Sequence, residues 1–142
     1  MSFSGAFPVT VLMRRRPVQS RWLDYAWCAE AVLPGSVVPA GDDEARHAVQ
    51  GLQLELHDDE AEGYLENWAA PAPKVFVSWR MVGARAVPVQ VSVSYAEGTR
   101  MFDSGDPADG VSMPPAVHAW LGQWLQLNYR APERKGHARH GI

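Results

Sequence analysis

The segment LQLELH (residues 52–57) sets Leu52, Leu54 and Leu56 on one side of an extended chain and Gln53, Glu55 and His57 on the other. A period of two marks a strand with one buried face. The pattern recurs along the chain, and it restricts the fold more than any other feature. Phe7, Val9, Val11 and Met13 alternate in FPVTVLM, and Leu23, Tyr25 and Trp27 alternate with Trp22, Asp24 and Ala26. KVFVSWRMV and PVQVSVS are two further runs, joined by GARAVP and read as a hairpin. Pro17 closes the first run after Arg14, Arg15 and Arg16, and Pro34-Gly35 closes the second, since proline cannot donate to a ladder and glycine tolerates positive φ. VVPAGDDEARHAVQG (residues 37–51) reads as a loop.

Two segments carry helical spacing instead. In DDEAEGYLENWAA, Tyr64, Leu65 and Trp68 follow an acidic start that complements the positive end of a helix dipole. After Pro114-Pro115, Val117, Trp120, Leu121 and Trp124 recur at i, i+3, i+4 and i+7. The expectation is an α+β fold: an antiparallel sheet of about five strands, a short helix after the third strand, and a C-terminal amphipathic helix packed on one face. With 142 residues the chain suffices for a single domain, placed at residues 1–130 and followed by a basic flexible tail, RAPERKGHARHGI, over residues 131–142 and the arginine before them. LELHDDEAEGYLENW and VSVSYAEGTRMFDSG both run from strand to helical segment through Ala-Glu-Gly, a three-residue echo that coincidence explains.

Charge and cysteine content set limits. A net charge of −3 gives no general attraction to phosphate backbones, so nucleic acid is not an expected partner despite Arg14–Arg16. The single Cys28 forms no internal disulfide, and it is expected to be a buried, inert thiol. The apolar stretch of MSFSGAFPVTVLMRRR precedes its arginines, the reverse of a secretory signal, and it is too short to span a bilayer. The expected location is cytoplasmic, with no membrane contact.

No phosphate-binding glycine loop, nucleophile elbow, HExxH or paired-cysteine metal site occurs. Asp103, Asp106 and Asp109 in DSGDPADG miss the spacing of a calcium loop and read as a turn. No catalytic residue, metal or cofactor is expected. The nearest thing to a constellation is His57, Glu62 and Tyr64, with Asn67 one turn beyond. It is either a small ligand or catalytic site with His57 as general base, or a set of hydrogen bonds that fixes a strand–helix corner. The six tryptophans are spread over the whole chain and are expected to meet mainly in one core. Trp22 and Trp27, five residues apart, fall on opposite faces of a regular strand, so one is expected to point inward and the other to face solvent or a partner. Arg134 and Lys135 in the tail are candidate partner contacts, set against the acidic stretch from Asp42 to Glu66.

The motifs WLDYAWCAEAVLPG, LELHDDEAEGYLENW and FDSGDPADGVSMPPAVHAWL, with ERKGHAR at the end, resemble, in that order, the bacterial family known as domain of unknown function 3305. Members are often encoded beside a molybdenum-dependent formate dehydrogenase and its maturation factors. The resemblance implies a non-enzymatic accessory role in assembly, maturation or regulation, with a dehydrogenase subunit or maturation factor as protein partner. It supplies no catalytic residues.

Overall fold

A computed structural model describes residues 5–37 and 43–130. The tail candidates Arg134 and Lys135 lie outside the described residues. The elements follow one another as β1 (Ala6–Pro17), β2 (Tyr25–Pro34), β3 (Arg46–Glu55), a 3-10 turn (Asp58–Glu60), α1 (Ala61–Trp68), β4 (Lys74–Val82), β5 (Arg85–Ser92), α2 (Tyr95–Asp103), β6 (Ala108–Ser112) and α3 (Pro115–Asn128).

The α+β class holds, but the single five-stranded sheet is corrected. Among the described residues there are two three-stranded antiparallel sheets, ordered β2-β1-β3 and β5-β4-β6. Period-two burial is common to a sheet beneath a helix and a sheet facing another sheet, so it does not separate the two. Here the inner faces meet: Val9, Val11 and Met13 of β1, Val32 of β2 and Leu54 of β3 share one cluster with Val75 and Val77 of β4, Val91 of β5 and Val111 of β6. β4 is buried on both faces, because Phe76 points the other way and packs on Tyr95 and Phe102 of α2.

Three local expectations also change. The expected loop 37–51 contains the first half of β3, starting at Arg46. The expected turn around Asp109 runs into β6. GARAVP shrinks to a two-residue turn, Gly83-Ala84, with Val82 opposite Arg85, and Gly83 takes the left-handed φ of 63° that the tight reversal requires.

The sheets approach along two seams, β2 beside β6 and β3 beside β5. Side chains bridge each one. At the first, the Asp109 carboxylate accepts from the Ala29 backbone N–H at 2.9 Å and from Trp79 Nε1 at 2.8 Å. At the second, His47 Nε2 lies 2.7 Å from the carbonyl of Ala86. A carbonyl only accepts, so the imidazole carries its proton on Nε2. The buried ring of His47 also meets Trp27 edge-on at 5.2 Å.

Helices α1 and α3 close the end where β1 begins. Trp120 packs on Phe7 at 5.1 Å and Trp124 meets Tyr64 at right angles. Trp68 stacks on His118 at 4.9 Å, its Nε1 donates to the His118 carbonyl, and His118 Nε2 donates to the carbonyl of Trp68. The Ala-Glu-Gly echo acquires a physical meaning here. A Cβ on Gly63 would sit 2.5 Å from Ser94 Oγ, and one on Gly98 would sit 2.7 Å from the Phe76 ring. Both glycines let a helix approach a neighbour closely.

Candidate functional site

The constellation of His57, Glu62, Tyr64 and Asn67 does not converge on one cavity. Tyr64 is fully buried, and its hydroxyl accepts from the His57 backbone N–H at 2.8 Å and donates towards the Glu55 carbonyl at 3.4 Å. The imidazole of His57 points instead to the rim of a separate cleft of about 350 Å³ between β3 and β5, with Glu55 and Glu97. Glu62 faces solvent and accepts from the Tyr129 hydroxyl at 2.9 Å. Asn67 is sealed inside: its amide donates to the carbonyls of Lys74 and Val93, and its oxygen accepts from the Lys74 N–H. Of the two sequence alternatives, the geometry is that of the strand–helix corner.

Burial pushes the Tyr64 phenol up to about 12, partly opposed by the hydrogen bond from His57. The unfolded chain loses this proton near the ordinary value of 10, the folded chain only near 12. The stabilisation is therefore complete below pH 10 and is lost as pH rises towards 12, on the order of 2–3 kcal/mol in total. The expected result is an unfolding midpoint in urea that falls through this range, and falls much less in Tyr64→Phe. Equal alkaline sensitivity in the two proteins counts against the assignment.

The other end of the molecule is built differently. The β1–β2 connection runs from Val18 to Asp24 and is held by a hydrogen bond between the Val18 N–H and the Asp24 carbonyl, while Ser20 Oγ accepts from the N–H groups of Trp22 and Leu23. These bonds fix a loop that leaves Trp22 84% exposed and Leu23 59% exposed. Trp27, inside β2, turns inward onto His47. One indole points in and one out, but the expected reason is corrected: Trp22 and Leu23 lie in the loop before β2, so the two rings are not opposite faces of one strand. At the tip of the β4–β5 hairpin, Met81 and Val82 are also about half exposed.

Both tips are edged with arginine. Glu30 is held between Arg14 at 3.1 Å and Arg46 at 3.0 Å, and the Arg15 guanidinium lies 3.9 Å above the Tyr25 ring. Arg16, Arg21, Arg80 and Arg85 have no ion-pair partner among the described residues. Arg15, Asp43, Glu44, Ala84 and Arg85 border a cleft of about 590 Å³, which brings the two hairpins to one shared face. The arginine run was visible in the sequence; its apposition to a second hairpin was not.

Cys28 is half-buried on β2, and burial, followed by the Asp109 carboxylate, raises its thiol above 9.0, which disfavours the reactive thiolate. Among the described residues no group of three or more His, Cys, Asp or Glu side chains is placed to hold a metal ion, and no helix is long and apolar enough to cross a membrane.

The described residues thus form an α+β fold of two small sheets locked at their seams, with α1 and α3 at one end and an exposed aromatic–arginine face at the other. The family model described as "Protein of unknown function (DUF3305)" matches residues 8–139, and the chain belongs to that family. No curated protein and no solved structure matches it.

Proposed function

We propose that the chain is a non-catalytic accessory protein that docks on another protein through the face formed by its two hairpin tips, the partner being a subunit or maturation factor of a molybdenum-dependent formate dehydrogenase. The observation that carries the docking surface is Trp22, an indole held in solvent by an internally hydrogen-bonded loop. An ordered, exposed tryptophan beside arginines has the composition of an interface hot spot, because it buries a large area on contact with little loss of side-chain freedom. The choice of partner rests on the resemblance to a family whose members are often encoded beside that enzyme.

The test is an affinity purification of the tagged chain from cells that express the dehydrogenase, with the recovered proteins identified by mass spectrometry. A dehydrogenase subunit or maturation factor is expected, and Trp22→Ala is expected to lower its recovery by about tenfold or more while leaving the fold intact. Recovery of neither, together with unchanged formate oxidation in a strain lacking the gene, overturns the reading.

A further inference from the structure

A largely apolar recess lies at the opposite end from Trp22. Leu65 and Trp68 of α1 face Ala119, Gly122 and Leu125 of α3 across a groove of about 520 Å³ that Tyr129 closes at one side. Its depth depends on Gly122, where a Cβ would approach Trp68 Nε1 to 2.9 Å. Glu62 marks the rim through its bond to Tyr129, and Glu66 stands one turn further along the same helix, both exposed. An apolar floor with an acidic edge suits an apolar knob with a cation beside it.

This chain carries such a knob. Trp22 is the most exposed of its large apolar side chains among the described residues, and Arg21 precedes it. A molecule cannot seat its own knob. Phe7, at the start of β1, packs against α3, whereas the Trp22 loop follows Pro17 at the far end of the same strand, and twelve extended residues span about 40 Å. We infer that the occupant of the α1–α3 groove is the Trp22 loop of a second copy of this chain. Each copy offers one loop and one groove at opposite ends, so the contact either closes reciprocally between two antiparallel copies as a two-fold dimer or, repeated head to tail, adds further copies in the same sense. The inference rests on the reading of the Trp22 loop as a docking element and adds a mode of control. Self-association hides that loop until a tighter partner competes for it.

Sedimentation velocity of the full chain over a concentration series tests this. The weight-average sedimentation coefficient is expected to climb above the monomer value with concentration and to fall back as salt screens the rim charges. Trp22→Ala removes the knob, and Ala119→Arg, at an exposed helix position on the groove wall, blocks the recess. Each variant alone is expected to sediment as a monomer. Mixed in equal amounts, they are expected to form a dimer that grows no further, since the first retains a groove and the second a loop. A wild-type monomer at every concentration, assembly by either variant alone, or a mixture that stays monomeric each overturns the inference. Ala119→Arg leaves the Trp22 loop intact and is expected to recover the dehydrogenase partner as the wild type does, so loss of self-association and loss of partner docking are read separately.

Discussion

Replacing Asn67 by alanine is expected to destabilise the protein by about 3–5 kcal/mol, a large share of the roughly 5–15 kcal/mol that holds a domain together. The side chain is fully buried and makes three hydrogen bonds, to the N–H and C=O of Lys74 and to the C=O of Val93. It thereby joins α1 to the first residue of β4 and to the residue that follows β5. Alanine takes the side-chain partner from three main-chain groups in a largely buried corner, and each such loss costs about 1–3 kcal/mol. The variant Asn67→Asp separates hydrogen bonding from volume. Its carboxylate keeps the bond from the Lys74 N–H but turns an acceptor towards two carbonyls, so its charged form is disfavoured and its folded pKa is raised. Protonation restores one donor. Asn67→Asp is therefore expected to gain stability as pH falls and to lose it as pH rises through that raised value, while Asn67→Ala shows no such dependence. Denaturant midpoints measured at two pH values decide it; parallel behaviour of the two variants removes the bridging role.

The second large effect is expected at Gly98. Helix α2 rests on β4 with its Gly98 backbone against the Phe76 ring, and a Cβ there would fall 2.7–2.8 Å from three ring carbons. Phe76 has little room to retreat, because Tyr95 and Phe102 hold it from the same helix. Gly98→Val is expected to cost about 3 kcal/mol or more through overpacking, even though valine is the better helix former. The compensating pair, Gly98→Val with Phe76→Leu, is expected to recover part of the loss, a non-additivity that neighbours in contact show and distant residues do not. Full additivity in denaturation experiments would mean that the clash is relieved elsewhere.

These two residues show what the sequence made legible. Asn67 groups with His57, Glu62 and Tyr64 in the sequence because polar residues at helical spacing resemble a site, yet helical spacing does not tell an amide facing solvent from one facing main-chain carbonyls. The strands were legible wherever branched or aromatic side chains alternate, as in FPVTVLM and KVFVSWRMV. They were hidden where a strand buries polar groups. The start of β3, RHAVQ, reads as loop because its inward residue is His47, which bonds across to Ala86. The five residues of β6 include Asp109, whose carboxylate serves two donors from other strands. In both places the polar residue fastens one sheet to the other, and only the tertiary partner explains its burial. The same fact accounts for the sheet count, since alternation records that a face is covered and not what covers it. Trp22 and Trp27 differ in exposure, but not as opposite faces of one strand: Trp22 lies in the loop before β2, and that loop depends on Ser20, whose hydroxyl role has no period to betray it.

Each sheet is assembled from three strands that are consecutive among the strands of the chain, with the first of the three at its centre. During synthesis from the N-terminus, the ladders of β1, β2 and β3 are complete in composition before β4 has been made, while their intended cover of Val75, Val77, Val91 and Val111 does not yet exist. For that interval the nascent chain carries a finished half with a bare row of Val9, Val11, Met13 and Leu54, the stage at which such a polypeptide is most exposed to clumping and most in need of a chaperone.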